Sequence, residues 1–330
     1  MKEINIMEVG GFRVGQAQDR EGMTGCSVFL FDRQSPAGVD VRGGGPASRE
    51  TPLLNPVADA KGVHAILLSG GSAYGLDAAG GVMRYLEERG IGLDVGVAKV
   101  PLVCQSAVFD LAVGDKNARP GAAMAYSACE QASAETMQEG NVGAGCGCTV
   151  GKYRGSLFCM KSGIGTYALQ LGNLKVGAVV AVNALGDIYD IDTNRKLAGA
   201  LNEDGKLLPS ELDFFEEMLK MQMAVAGNTT LGVVVTNAAM DKTTLNKVAS
   251  MAHNGFARAI RPVHTMLDGD SIYAVSTGDE AADVNVVGPL SAYVMGKAIG
   301  RAVLAAEPCC GLAAASSLDK TQTCREECSC

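Results

Sequence analysis

The chain has 330 residues, 47% of them hydrophobic and 19% charged, with a formal net charge of -8 and 11 cysteines. A chain of this length can bury a sizeable core as one large domain or two, and its apolar fraction excludes a wholly disordered chain. Scattered Lys and Arg, an acidic balance and the absence of Trp leave no basic stripe or stacking surface for nucleic acid, and no apolar run reaches the roughly 18 residues of a membrane span.

The amino-terminal residues Met1-Lys2-Glu3-Ile4-Asn5-Ile6 lack an apolar signal core. The cysteines are therefore expected as reduced thiols of a cytoplasmic protein. Short apolar or alternating stretches at 26–31, 63–68, 176–182, 231–235 and 271–276 predict strands. Helical periodicity is predicted between them, at 73–89, 121–134, 211–223, 243–259 and 287–306. Within 243–259, Leu245, Val248, Ala252, Phe256 and Ala259 recur every three or four positions, with Asp241 placed to cap. Strands partly grouped, with helices between, favour a layered α/β sandwich over a regular βαβ array. The polar segment 192–208 reads as a loop leading, with the next helix, toward Asn228. After residue 305, with Glu307-Pro308, comes a Cys-rich tail (306–330) expected to be flexible. Neither Cys146-Gly147-Cys148 nor Cys328-Ser329-Cys330 has the two-residue spacing of zinc or thioredoxin-like sites.

The segment most suggestive of chemistry is Ala226-Gly227-Asn228-Thr229-Thr230, directly ahead of the apolar run 231–235. It describes either an Asn-Thr turn entering a strand or a peptide bond built for self-cleavage. In the second case the Thr229 Oγ attacks the Asn228 carbonyl, and hydrolysis leaves Thr229 with a free α-amine. That amine, with an ordinary pKa of about 7.7–8.0, can serve as base for its own hydroxyl. Asp268 and Asp270, two apart on an extended segment, face one side together and call for a cation; a solvated Asp-Gly-Asp turn is the plainer alternative. Gly70-Gly71-Ser72-Ala73-Tyr74-Gly75 follows a strand, but lacks the glycine a nucleophile elbow needs two residues after its serine. His64, His253 and His264 show no metal-ligand spacing and read as structural.

Taken in order, Gly11-Phe12-Arg13-Val14-Gly15, Val41-Arg42-Gly43-Gly44-Gly45-Pro46, Leu68-Ser69-Gly70-Gly71-Ser72, Thr149-Val150-Gly151-Lys152, Asn228-Thr229-Thr230, His264-Thr265 and Asp268-Gly269-Asp270-Ser271 carry a resemblance. The chain resembles, over about residues 10–305, the family of DmpA-type L-aminopeptidase/D-esterases and 6-aminohexanoate-oligomer hydrolases. That resemblance implies an α-β-β-α layered sandwich, a single self-processing domain over 1–305, and cleavage into an α chain (1–228) and a β chain (229–330). It implies Thr229 as nucleophile, Asn183 as an oxyanion donor, and Lys152, Asp268 and Asp270 as the electrostatic frame, with Lys161 a competing lysine. Gly71, Ser72 and Tyr74 are assigned to the substrate pocket. The Asp-x-Asp pattern resembles the nylon-oligomer branch. The implied reaction is hydrolysis of a small peptide or amide oligomer by a homo-oligomer, a tetramer of α/β units, needing neither cofactor nor metal. An acyltransferase of the ornithine-acetyltransferase type and an unprocessed binding protein of the same fold stand as alternatives.

Overall fold

The structure, a computed structural model, describes residues 1–209, 211–220 and 227–318. Two sheets carry it. Their strands, in chain order, are β1 (Lys2–Ile4), β2 (Phe12–Asp19), β3 (Thr24–Ser35), β4 (Ala37–Val41), β5 (Ser48–Arg49), β6 (Val63–Ser69), β7 (Val103–Ala107), β8 (Ile164–Leu171), β9 (Leu174–Asn183), β10 (Thr229–Ala238) and β11 (Ser271–Glu280). One sheet runs β1-β8-β9-β10-β11-β4 and the other β2-β3-β6-β7-β5. Most neighbours are antiparallel, but β10 and β11 are parallel, as are β6 and β7. The helices are α1 (Ala79–Glu87), α2 (Ala122–Glu130), α3 (Leu212–Lys220), α4 (Lys242–Ala259) and α5 (Val284–Leu304).

The period-two alternation of the strands sorts their side chains into layers. Phe29 and Phe31, Ile66 and Leu68, Val179 and Ala181, and Leu231, Val233 and Val235 meet between the two sheets. Their sequence neighbours Val28 and Leu30, with Ala65 and Leu67, turn outward to α1 and α2. On the opposite side Ala178, Val180, Val234, Ile272 and Ala274 pack beneath α4 and α5. The result is helices, sheet, sheet, helices, the α-β-β-α layering expected. A central strand buried on both faces must be apolar at every position, which is why 176–182 and 231–235 are legible as unbroken runs.

Several elements differ from the sequence expectation. Strands β2, β4, β7 and β8 are absent from it, because Gly and Gln interrupt their apolar alternation. The helix expected from residue 73 begins as a tight 3-10 segment, Ser72–Ala78, before α1. Gly75 presses against the Gly70 carbonyl there: a Cβ on it would stand 1.9 Å from that oxygen. The supposed loop 192–208 contains a strand, Lys196–Ala198, paired with Asp187–Tyr189 and fastened by a 2.7 Å Lys196 Nζ–Asp187 Oδ2 ion pair. Of the helix expected at 211–223, residues 221–223 lie outside the described residues. As expected, Asp241 caps α4, accepting the Thr244 N–H at 2.7 Å.

The tail does not begin as a free appendage. Ala314 is buried, the Ala313 carbonyl takes the Lys161 N–H at 2.7 Å, and Asn141 Nδ2 holds the Glu307 carbonyl at 2.8 Å. Cys324, Cys328 and Cys330 lie outside the described residues.

Close helix contact over the outer sheet depends on glycine. A Cβ on Gly255 of α4 would fall 2.3 Å from the Ala292 carbonyl oxygen of α5. Gly255→Ala must therefore push the two helices apart. We expect a loss of about 1–3 kcal/mol, read as a lowered thermal midpoint by circular dichroism; an unchanged midpoint would disprove the contact.

Candidate active site

The central strands end at the site. Register pairs Asn183, the last residue of β9, directly with Thr229, the first of β10. Both are buried, and the alternation that sends Ala181 and Leu231 between the sheets sends Asn183 and Thr229 to the same face. The Asn228–Thr229 peptide thus lies at the mouth of the inter-sheet core, on rigid backbone rather than on a mobile loop.

At that peptide the Thr229 Oγ1 donates to the Asn228 carbonyl oxygen at 2.5 Å. The same oxygen accepts the Gly269 N–H at 2.8 Å. The hydroxyl thus lies beside a carbonyl that a backbone N–H also polarises. Gly269 must be glycine here, since a Cβ would stand 2.6 Å from the Thr229 Oγ1. It is the residue between the two predicted aspartates, and sequence reasoning misses its role; its closeness to both was the available signal.

Lys152 reaches the site from the far side. Gly151, at φ +70°, turns the chain so tightly that a Cβ would lie 2.1 Å from the Ala200 nitrogen. Lys152 N then binds the Leu185 carbonyl at 2.9 Å, and Tyr153, next in sequence, donates to Asp187 at 2.9 Å. So anchored, the Lys152 ammonium donates to Asn183 Oδ1 at 2.7 Å, to the Asn183 carbonyl at 3.1 Å and to the Gly227 carbonyl at 3.2 Å. Burial pushes its pKa down to about 8, opposed by the fields of Cys159, Cys148, Asp268 and Asp110. Lys161 is elsewhere: its ammonium is held by the carbonyls of Cys148 and Ser162 at 2.8 and 2.5 Å.

Asn183 does not aim at the Asn228 carbonyl in the intact chain. Its Nδ2 donates to the Phe109 carbonyl at 2.8 Å while its Oδ1 receives Lys152 and the Thr149 N–H. The donor at the Asn228 carbonyl oxygen is the Gly269 N–H, while Asn183 Oδ1 receives the Lys152 ammonium.

The two aspartates are buried together, and they divide the work. Asp268 accepts from Thr265 N and Oγ1 at 2.8 and 2.6 Å; burial first, then the charge of Asp270, raises its pKa. Asp270 accepts the Thr230 N–H at 2.7 Å through one oxygen. Through the other it binds His264, from the backbone N at 3.1 Å and the ring Nδ1 at 2.9 Å. His264, which reads from the sequence as a structural histidine, is thus the partner of Asp270.

The residues 71–74 are not brought to this point. Gly71 N donates to Asp110 at 2.7 Å, Ser72 N to the Val108 carbonyl at 2.9 Å, and Tyr74 is exposed beneath the Arg119 guanidinium. A cavity of about 370 Å³ opens instead beside Lys152 and Gly227, and none of Gly71, Ser72 or Tyr74 lines it. Asp110, one residue after the cavity-lining Phe109, is what connects the two regions.

A model of peptidase family S58 matches residues 5–323. The chain belongs to that family. An uncharacterized aminopeptidase of Mycobacterium tuberculosis is 36% identical over 93% of this chain and 96% of its own length. A 6-aminohexanoate-oligomer endohydrolase of a Kocuria species is 31% identical over 84% and 76%. Among solved structures, the L-aminopeptidase D-Ala-esterase/amidase of Ochrobactrum anthropi, described as a variant of the Ntn hydrolase fold, superposes with a TM-score of 0.71 at 17% identity, covering 96% of this chain and 91% of that one. This S58 member is accordingly a hydrolase of peptide or amide bonds. Among its described residues no helix is long and apolar enough to cross a membrane.

Gly269→Ala keeps the backbone N–H, but its Cβ would meet the Thr229 Oγ1 at 2.6 Å and the Gly45 carbonyl oxygen at 2.8 Å and so must shift that N–H away from the Asn228 oxygen. Amide hydrolysis is expected to fall by about 10²-fold or more, the scale of a displaced oxyanion donor. Steady-state kcat measures it; retention of wild-type kcat would remove Gly269 from the site.

Proposed function

We propose that this S58 hydrolase cleaves its own Asn228–Thr229 bond and then uses Thr229 as an amino-terminal nucleophile on peptide or amide-oligomer substrates. The observation that carries the reading is the Thr229 Oγ1 held 2.5 Å from the Asn228 carbonyl oxygen, with Gly269 N–H on the same oxygen. In self-cleavage Oγ bonds to the Asn228 carbonyl carbon and the C–N bond breaks, so the Thr229 nitrogen leaves as an amine and an ester remains. Water then hydrolyses that ester, freeing the Asn228 carboxylate.

In turnover the substrate carbonyl takes the place of the Asn228 carbonyl. The Thr229 Oγ attacks it, passing its proton to the new α-amine, which returns a proton to the departing amine of the substrate. Water releases the acyl group from Thr229. The Gly269 N–H stabilises the oxyanion, and the Lys152 ammonium supplies positive potential close by. Asp268 and Asp270 balance that charge, and Asp270 steadies the strand start through Thr230. The chain works as a single domain in a homo-oligomer of α/β units, without a cofactor.

Denaturing electrophoresis with intact mass on the purified protein is the direct test. Wild type should give pieces of about 23–24 and 10–11 kDa from the 34.0 kDa chain, the smaller beginning at Thr229. Thr229→Ala should stay whole and inactive; a cut at another bond would overturn the assignment.

The lowered Lys152 pKa sets a second test. A lysine whose ordinary value is 10.5 but is held at about 8 loses its proton as pH rises through 8. If the ammonium is what assists, kcat/KM should fall above about pH 8, and Lys152→Arg, charged throughout, should carry that limb upward. A limb unmoved in the Arg variant would assign it to another group.

A further inference from the structure

The cavity beside the scissile bond lies on its acyl side. Gly227, one residue before Asn228, lines it, and the ring of Phe109 lies against Gly227 so closely that a Cβ there would fall 2.3 Å from Phe109 Cδ1. When a substrate carbonyl replaces that of Asn228, its acyl group must run where Gly227 now runs. The walls of this space decide which acyl groups fit.

Those walls are apolar and, apart from Lys152, uncharged among the described residues. Phe109, Val113, Leu157 and Leu312 supply the surface, with the neutral Thr149 and Ser156 beside Lys152. The carboxylates in this region face other partners. Asp110 gives one oxygen to Thr24 Oγ1 and the other to Gly71 N, both at 2.7 Å. Asp115 accepts the Asn117 N–H at 2.9 Å, and Asp268 accepts from Thr265. An ammonium on the acyl group would find no carboxylate in the described lining, and would face the cationic Lys152 across desolvated space. The chain's own acyl sequence, Met221-Gln222-Met223-Ala224-Val225-Ala226-Gly227, is likewise uncharged. A turn formed by Cys309 and Leu312, whose N–H and carbonyl groups pair at 2.9 and 3.3 Å, brings Leu312 to the outer wall.

Resting on the self-processing reading above, we propose that this pocket selects neutral, apolar acyl groups. The enzyme then acts on N-acylated or internal amides in preference to amides carrying a free terminal ammonium on the acyl residue. Phe109 is the residue that sets this preference, because it forms the surface against which the acyl chain lies.

The test uses the purified, processed enzyme and matched p-nitroanilides. Hexanoyl is compared with 6-aminohexanoyl, and N-acetyl-leucyl with leucyl. We expect kcat/KM at least about tenfold higher for the neutral member of each pair, the scale of an unfavourable like-charge contact. Equal rates, or a preference for the ammonium-bearing member, would overturn the inference. Phe109→Asp should move the ratio at least about tenfold toward the ammonium substrates; if that variant does not yield processed protein, Leu312→Asp on the outer wall replaces it. An unmoved ratio in the processed variant counts against the assignment. Processed protein, with Thr229 at its amino terminus, that hydrolyses neither member defeats this inference while leaving self-cleavage standing. An uncut chain hydrolysing nothing defeats both.

Discussion

The Lys152 ammonium is buried with all three of its protons spent on oxygens of Asn183 and Gly227, none of them a carboxylate. A desolvated cation in that position has to be held by geometry, and much of the surrounding structure supplies it. The tight turn at Gly151 brings the lysine in, the Tyr153–Asp187–Lys196 network fixes the residue after it, and the β9–β10 register sets Asn183 opposite Thr229. One buried cation thereby joins Asn183, the last residue of one central strand, to Gly227, which precedes Asn228.

The inter-sheet core gives this arrangement its rigidity. Leu231, Val233 and Val235 interleave with Val179 and Ala181 on the same face that carries Thr229 and Asn183 to the edge. A slip of one residue between β9 and β10 would put Asn183 and Thr229 on opposite faces of the sheet. The packing that makes the strands apolar on both faces thus also fixes where the hydroxyl points. The opposite face gives Asp270 its place, with His264 behind it and the T-shaped His253–His264 pair at 4.7 Å filling the space beneath α4.

Membership of a peptidase family and the acyl-side cavity speak to different questions. The first rests on the whole chain and concerns the reaction. The second depends on a handful of side chains around Gly227 and bears on the proposal for what is accepted. Relatives of comparable identity carry the names of an aminopeptidase and of an oligomer endohydrolase, so membership of the family does not by itself fix the substrate.

The sequence by itself determined a layered α/β architecture and singled out the Asn228–Thr229 peptide, while the α-β-β-α order was implied by resemblance. Central strands buried on two faces read as apolar runs, α4 declared its buried face by spacing and its start by Asp241, and Asn228-Thr229 ahead of such a run marked the peptide. Lys152, Asn183, Asp268 and Asp270 were singled out by resemblance, and the fold buries them near Asn228-Thr229. The edge strand β2 was not legible, because one-sided burial lets Gly and Gln break the alternation, and the interior strand β8 was not, because Gly165, Thr166 and Gln170 interrupt its apolar run. Only the tertiary structure decided the partnerships. Gly269 as donor to the Asn228 oxygen, Asn183 turned to Lys152, His264 on Asp270, Asp110 between Gly71 and the cavity, and the Cys309–Leu312 turn as a pocket wall all join residues tens to hundreds of positions apart or depend on a backbone N–H. Hydrogen bonds of that kind carry no sequence period; they exist only once the sheets have closed and the backbone directions are set.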